Sequence, residues 1–149
     1  MPEKETLERA REDQQEGKAP STQAGEFVKE EIDHIREGKH GARSAKQAIA
    51  IGLSKARRAG VKLPPPKKGK TSEKTRHQAA RDSSKGSSGR KSRPSAKRSR
   101  ATTGALKQEG HKAASKESLS RQARGAAAQR SKAARSRSSK KAAATRRAA

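Results

Sequence analysis

Apolar side chains recur at helical spacing in only two neighbouring stretches of this chain. In the first stretch, PSTQAGEFVKEEIDHIREG at residues 20–38, Val28, Ile32 and Ile35 lie at positions i, i+4 and i+7, with Phe27 beside them. This spacing places the four side chains on one side of a helix. It therefore predicts an amphipathic α-helix.

The second stretch, RSAKQAIAIGLSKARRAG at residues 43–60, predicts another amphipathic helix, from about Ala45 to Ala59. Its buried apolar stripe is expected to consist of Ala45, Ile49, Leu53 and Ala56, with Ala48 and Gly52 flanking. Ile51 projects from the opposite face and would be available to a second copy of the chain or to a protein partner. A single exposed isoleucine is an equally good interpretation, because folded proteins commonly expose isolated apolar residues.

Start and stop signals bound both predicted helices. Ser21 or Thr22 is expected to cap the first helix, and Gly38 to end it in the left-handed conformation that glycine adopts without steric cost. An S-x-x-Q capping box begins the second helix at Ser44, and Gly60 suits a Schellman-type stop. Three prolines soon after Gly60 prevent continuation.

The short connection between the two helices predicts an antiparallel helical hairpin over residues 20–63. Its packing residues are expected to be Phe27, Val28, Ile32, Ile35, Ile49, Leu53 and Ala56. Four acids of the first helix are expected to leave its outer face negative, namely Glu26, Glu30, Glu31 and Asp33.

Outside the hairpin the chain offers little for a core, because it has only 13 Val, Ile, Leu, Met and Phe residues in 149. A highly charged chain of this kind cannot offset the entropy lost on folding. We therefore predict an all-α protein with a small hairpin at about 21–63 and a mostly disordered basic tail. Residues 1–19 are expected to be marginally helical, 64–104 a disordered linker, and 105–149 helical on binding, from about Glu117 to Arg135.

Charge is divided by position along the chain, whose formal net charge is +24. Residues 1–37 carry a net −5, residues 38–63 carry +7, and residues 64–149 carry +22. Such asymmetry is typical of a basic arm that binds a polyanion. The chain has one Phe and no Trp or Tyr, so it lacks the aromatic platforms on which nucleic-acid bases stack.

We therefore expect a nucleic-acid partner, DNA in preference to RNA, that is contacted through its phosphates without sequence preference. The predicted backbone contacts are Arg57, Arg58, Lys67, Lys68, Lys70, Arg90, Lys91, Arg93, Lys97, Arg98, Arg100, Arg121, Arg124, Arg130, Arg135, Arg137, Lys140, Lys141, Arg146 and Arg147.

Catalytic and cofactor motifs are not recognisable in the sequence. There is no Cys, and the four His residues lie in polar sequence without a recognised ligand spacing. We predict no enzyme, no metal and no cofactor. No segment reaches the roughly 20 apolar residues of a membrane span, so we expect no membrane partner and a cytoplasmic, nucleoid-associated location.

The run KQAIAIGLSKARRAGVKLP, preceded by EFVKEEIDHIREGKHGARS, resembles a family of short bacterial proteins rich in Lys and Arg that carry a domain of unknown function. The similarity covers roughly residues 24–66 and centres on a helix of the form K-Q-A-I-A-I-[AG]-L-S-x-A-R-[KR]-A-G. It implies the helical architecture and a bacterial origin. In composition the tail is similar to the basic tails of linker histones and bacterial histone-like proteins.

Two functional hypotheses follow. In the first, which we favour, the protein is a non-catalytic, histone-like accessory protein that binds DNA through its basic tail. In the second, the hairpin docks on a protein partner, in an RNA- or ribosome-associated setting, and the tail is a secondary tether.

Overall fold

The computed structural model describes residues 1–88 and 95–148, with side chains up to Arg147. These residues form seven α-helices and one short 3-10 helix, and none of them is in a β-strand. The elements are α1 (Lys4–Gln15), α2 (Pro20–Arg36), α3 (Ala45–Arg58), α4 (Glu73–Ser87), α5 (Ala96–Lys107), the 3-10 turn (Lys112–Ala114), α6 (Lys116–Ala128) and α7 (Lys132–Ala148).

Helices α2 and α3 form an antiparallel hairpin at the centre of the fold. The end of α2 packs near the start of α3, where Ile35 and Ala48 share a cluster, and Phe27 shares another cluster with Ala56 near the opposite ends. Gly52 allows the two helices to approach closely, because a Cβ atom there would lie only 2.7 Å from the Cα of Val28. The predicted hairpin is thus present within a larger helical assembly.

Glycine residues end the first three helices in the same way. Gly17, Gly38 and Gly60 all have positive φ angles, of 71°, 76° and 98°. After α3, the Gly60 N–H donates to the Arg57 carbonyl and the Val61 N–H donates to the Ala56 carbonyl, both at 3.1 Å. This pair of bonds is the Schellman motif, so the predicted stop is confirmed.

The helix starts agree with the sequence prediction only in part. Ser44 caps α3 by accepting a hydrogen bond from the Gln47 N–H at 3.2 Å. The Gln47 side chain, however, accepts from the N–H of Arg43 at 2.8 Å instead of from the cap residue. Helix α2 begins at Pro20 without a side-chain cap, so neither Ser21 nor Thr22 caps it. Proline fits this first position because its missing N–H would have had no helical partner.

Helix α1 packs against α2, although its sequence predicts only a marginal, solvated helix. Thr6, Ala10 and Asp13 are buried at positions i, i+4 and i+7 of α1. Ala10 lies in one cluster with Ala24 and Phe27, and Leu7 packs against the edge of that cluster. Small side chains therefore provide the contact face that the count of large apolar residues did not reveal.

The prediction of a small hairpin with a mostly disordered basic tail is wrong. Four α-helices and the 3-10 turn follow Leu63 within the described residues. Helix α4 lies inside the segment predicted as a linker and packs along α3, with Ala79 and Asp82 buried. The tail also returns to the hairpin at the 3-10 turn, where Ala113 and Ala114 are 5% and 1% exposed.

Serine residues in the predicted linker and in the tail that follows it act as helix caps. Four of them each accept a hydrogen bond, at 3.1 to 3.4 Å, from the N–H three residues further on. These four caps stand before α4, α5, α6 and α7 and are Ser72, Ser95, Ser115 and Ser131. A capping serine satisfies an N–H that the first turn of a helix leaves without a partner. The single helix predicted from about Glu117 to Arg135 is therefore two helices in the structure. Helix α6 ends at Ala128, and α7 begins after the capping Ser131.

Alanine makes up most of the core. Of the twelve buried hydrophobic residues of the described chain, nine are alanine, and the others are Phe27, Ile32 and Ile35. Alanine loses no side-chain entropy on burial and favours helices, and its small size lets helix backbones approach closely. The tail joins this core through backbone bonds at 2.8 and 3.1 Å, from the Gly41 N–H to the Leu106 carbonyl and from the Ala42 N–H to the Gly110 carbonyl.

Candidate nucleic-acid interface

Most of the predicted backbone contacts lie at the surface of the described structure. Sixteen of the twenty are exposed: Arg58, Lys67, Lys68, Lys70, Lys97, Arg98, Arg100, Arg121, Arg124, Arg130, Arg135, Arg137, Lys140, Lys141, Arg146 and Arg147. Three others, Arg90, Lys91 and Arg93, lie outside the described residues. Only Arg57 is buried.

Arg57 cannot serve as the phosphate contact predicted from the sequence, because it is 7% exposed. The turn after α3 brings the following chain back over this side chain, which donates hydrogen bonds to the carbonyl oxygens of Leu63 and Pro64, both at 3.3 Å. Burial lowers the pKa of Arg57 from its usual value, and the nearby Asp82 carboxylate opposes this change. Its guanidinium therefore holds the turn together.

Arg58 is exposed but already has an anionic partner. Its Nε atom lies 2.7 Å from an oxygen of Asp82, a residue that is 1% exposed. Ser54 and Gln78 donate further hydrogen bonds to the same carboxylate, at 2.6 and 3.0 Å. Arg58 thus joins α3 to α4, and its charge is less available to a phosphate than that of an unpaired cation.

The cations of α5, α6 and α7 have no such partners. These three helices carry fourteen Lys and Arg residues against one acid, Glu117. Within the described part of the chain, no carboxylate oxygen lies within 4.0 Å of any of these fourteen side chains. The charge of this region therefore faces solvent uncompensated, and a polyanion can be attracted to it.

Helix α7 concentrates this charge over the greatest length. Its 17 residues extend over about 25 Å at the usual helical rise and include seven cations and no acid. One stripe of the helix contains no cation. It consists of Ala134, Ser138, Ala142 and Thr145, at positions i, i+4, i+8 and i+11. Elsewhere on the helix, Ala143 and Ala144 lie between Lys140 and Arg147, so no bulky side chain would hold a phosphate backbone away from these two cations.

The acidic residues near the start of the chain are arranged differently from the prediction. Glu30 and Glu31 are 4% and 1% exposed, so they do not form an outer negative face of α2. Helices α1 and α3 cover that side of α2, and Lys55 of α3 lies 3.3 Å from Glu30 and 2.7 Å from Glu31. Burial raises the pKa of Glu30, but the Glu3 N–H, Thr6 and Lys55 lower it by more, and the net pKa lies below its usual value.

The hairpin packing residues fall into two groups. Phe27, Ile32, Ile35 and Ala56 are buried, whereas Val28, Ile49 and Leu53 are half-buried. The most deeply buried side of α3 is formed by Ala48, Gly52 and Ala56, so the contact stripe is rotated toward the small residues. Ile51 is half-buried and shares a helix face with Ser54 and Arg58, both of which bond Asp82 of α4.

One mixed group of acid and histidine was not evident from the sequence. Glu31, His34 and His40 place one potential metal-ligand atom each within 4.8 Å of the others. Glu31 and His34 are one turn apart on α2, but His40 reaches them only because the turn at Gly38 reverses the chain. The spacing of these residues in the sequence does not contain that information. In the described chain, no helix combines the length and the apolar run needed to cross a membrane.

Comparison with known proteins covers only the first part of the molecule. No curated protein and no solved structure matches the chain. Residues 17–68, which contain α2 and α3 with their flanking turns, match the model of a family of unknown function (DUF6496). The helical hairpin is therefore similar to an uncharacterised protein family.

Proposed function

We propose that this protein is a non-catalytic accessory protein that binds nucleic acid, DNA in preference to RNA, through phosphate contacts made by α5, α6 and α7. In this proposal the assembly of α1 to α4 is the scaffold. We further propose that the hairpin belongs to the Lys- and Arg-rich bacterial proteins that share the K-Q-A-I-A-I-[AG]-L-S-x-A-R-[KR]-A-G helix. The protein would then be a cytoplasmic, histone-like component of the nucleoid.

The supporting observation is the difference in charge pairing between the two ends of the chain. Helices α1 and α2 carry eight acids and five cations, and two of these cations, Arg9 and Arg36, lie in ion pairs with nearby acids, as does Lys39 in the turn after α2. Helices α5 to α7 carry fourteen cations without a carboxylate in reach, as described above. Neutralising phosphates with such cations releases condensed counterions, which favours binding.

The proposal includes no sequence preference, because the described surface lacks an aromatic ring on which bases could stack. Phe27 is the only Phe, Tyr or Trp of the chain and is 1% exposed. Stacking of bases on this ring is therefore excluded in the folded protein. Arg and Lys on a helix can still reach phosphates of any sequence, and phosphate contacts fix position without specifying bases.

A salt titration tests the proposal. Fluorescence anisotropy with a labelled duplex, measured at several KCl concentrations, should give a logarithmic slope of about −4 to −6 if four to seven phosphates are neutralised, since each contributes about −0.9. Single-stranded DNA and a structured RNA of equal length, titrated in parallel, measure the preference for duplex DNA. A slope near zero would exclude binding through phosphates.

A pair of charge variants locates the binding surface. The first variant replaces four exposed cations near the end of α7 by glutamine: Lys140, Lys141, Arg146 and Arg147. If all four contact phosphates, the slope should become shallower by about 3 to 4, and affinity at 0.1 M salt should fall by about three orders of magnitude.

The matched variant removes the same charge from the scaffold. It replaces four exposed cations of α1, α2 and α3 that have no carboxylate within 4.0 Å among the described residues: Lys4, Arg11, Lys29 and Lys46. This variant should change the slope by less than about 1, because only the long-range field is reduced. Equal losses in the two variants would contradict the proposed surface and indicate attraction by net charge alone.

The alternative function, docking of the hairpin on a protein partner, makes a different prediction for the same two variants. Both variants should then still bind that partner. Met1 is the only large apolar residue of the described chain that is fully exposed, and α1, α4 and the 3-10 turn pack on the hairpin. No continuous apolar face of the hairpin is therefore available to a partner, and we favour the nucleic-acid proposal.

A further inference from the structure

The group of Glu31, His34 and His40 has a geometry that the nucleic-acid proposal does not use. Glu31 and His34 face the same side of α2, and His40 is folded back beside them after the Gly38 turn. The side chains of His34 and His40 are 14% and 15% exposed, and that of Glu31 is 1% exposed. The three residues thus form a compact, largely enclosed group at one end of the hairpin.

The Glu31 carboxylate has incomplete hydrogen bonding for so buried a group. Neither of its oxygens accepts a hydrogen bond of good geometry from another described residue. Lys55 Nζ lies 2.7 Å from Oε2, and His40 Nε2 lies 3.3 Å from Oε1. Because Lys55 approaches Oε2, Oε1 remains directed toward the imidazole of His40. Buried anions normally have paired charges or coordinate metals, and the group that faces Oε1 is the imidazole of His40, which carries a charge only when it is protonated.

The second ring nitrogen of His40 indicates which atom is available to a metal. Nδ1 lies 3.1 Å from the carbonyl oxygen of Gly41. A carbonyl oxygen only accepts, so this contact assigns a proton to Nδ1. In neutral His40 the lone pair of Nε2 then faces the carboxylate of Glu31, which is repulsive unless a cation lies between them. A histidine that ligates a metal usually donates its other N–H to an acceptor in this way.

The net charge around the group is negative, which favours binding of a divalent cation. Ion pairs link four carboxylates to two ammonium groups here: Glu3 and Glu37 to Lys39, and Glu30 and Glu31 to Lys55. Glu3 Oε1 also lies 2.8 Å from Nε2 of His34. With both imidazoles neutral, these six side chains carry a net charge of −2. A divalent ion would bring that sum to zero.

From these observations we propose that Glu31, His34 and His40 bind a divalent transition-metal ion of the zinc type. Two imidazoles and one carboxylate are a ligand set that suits Zn²⁺. Tetrahedral bonds of about 2.0 Å place neighbouring ligand atoms about 3.3 Å apart. Glu31 Oε1 and His40 Nε2 already have this separation. Lys55 can remain bound to Glu30 and to Oε2 of Glu31 while the metal takes Oε1.

Titration of the metal-free, full-length protein with Co²⁺ tests this site without nucleic acid. Visible absorption bands should appear, saturate at one equivalent, and disappear when Zn²⁺ is added. Replacing His40 or His34 by asparagine should weaken Zn²⁺ binding by at least about tenfold, since loss even of an outer-shell partner costs 10 to 100-fold. His77→Asn is the matched control, because His77 is exposed on α4, and it should change affinity by less than twofold.

Imidazole NMR supplies a readout that requires no substitution in the site. The chain has four histidines, so ¹⁵N signals of the wild-type protein can report on each ring separately. Addition of one equivalent of Zn²⁺ should strongly shift the signals of two imidazole rings. The signal of the His77 ring, which is identified because it is missing from the spectrum of His77→Asn, should not shift. Absence of binding at millimolar Zn²⁺, or binding that shifts His77 as much as His34 and His40, would overturn the proposal. Because no nucleic acid is present, this result is independent of the proposed phosphate contacts.

Discussion

Helices α1 to α4 and helices α5 to α7 use the same charged residue types in opposite ways. In the first region several charges are paired across helix contacts, as between Lys55 and Glu31 or between Arg58 and Asp82. In the second region the cations project into solvent without acids in reach, and helices α5 and α6 have no buried residue. The comparison indicates that in one region charge contributes to folding, whereas in the other it remains available for binding.

Among the substitutions proposed for the two regions, the largest effect on stability is expected at Gly52, where the backbone of α3 lies against that of α2. Gly52→Ala would place a Cβ atom 2.7 Å from the Cα of Val28. Neither backbone can give way without separating α2 from α3. Overpacking costs of about 3 kcal/mol, less about 1 kcal/mol gained in helix propensity, leave a destabilisation of about 2 kcal/mol in urea unfolding.

Gly25→Ala provides the matched control for that substitution. Gly25 is also inside a helix, α2, but has no atom within 4 Å of its added Cβ. This variant should gain stability by about 0.5 to 1 kcal/mol through helix propensity. If both alanine variants change stability in the same direction, the close contact of α2 with α3 is contradicted.

An intermediate effect is expected from the buried ion pair between α3 and α4. Asp82→Asn removes the charge that Arg58, Ser54 and Gln78 bond, and a hydrogen bond to a charged group contributes about 1.5 to 3 kcal/mol. Because the Arg58 side chain is 54% exposed and can be rehydrated, we expect a loss of about 1.5 kcal/mol in unfolding free energy.

The control for Asp82 lies on the same helix. Glu73 pairs with Arg76 at 2.7 Å, but the two side chains are 65% and 42% exposed. Glu73→Gln should therefore cost less than about 0.5 kcal/mol, as is usual for ion pairs at the surface. Equal costs for the two substitutions would show that α4 is not held on α3 by the Asp82 carboxylate.

The smallest effect on stability is expected in the second region. Replacing the four α7 cations by glutamine should change the unfolding free energy by no more than about 0.5 kcal/mol, because none of them is buried or ion-paired in the described structure. The same variant is expected to lose most of its DNA affinity. A large loss of stability would mean that these cations serve the fold and would remove the contrast between the two regions.

The sequence predicts the parts of the fold that depend on local signals. The periodicity around Val28 and the capping serine Ser44 agree with α2 and α3. The stop at Gly60 has the predicted hydrogen bonds. These signals act within one or two helical turns, where propensity and steric rules are sufficient.

Long-range features could not be predicted from the same rules. Ala113 and Ala114 pack in a cluster with Ile32 and Ile35, about eighty residues away in the chain. The prediction from composition counted only large apolar residues and so did not include alanine in the core. It also assigned Ser72 and Ser95 to a disordered linker, whereas both are helix caps. Burial of Glu31 depends on Lys55 of another helix, and nothing local to either residue indicates that pairing.

The connection between α5 and α6 has a consequence for how the protein would leave a polyanion. Residues 106–114 are bonded to the hairpin at Gly41, at Ala42 and through Arg36, which donates to the Ala114 carbonyl at 3.1 Å. Cationic helices therefore lie on both sides of one fixed attachment point, with α5 before it and α6 and α7 after it, and α6 also contacts α3. When the cations on one side are bound, those on the other side rebind at a high effective concentration, so release in dilute solution should be slow and should accelerate when free competitor strands occupy the cations that have detached.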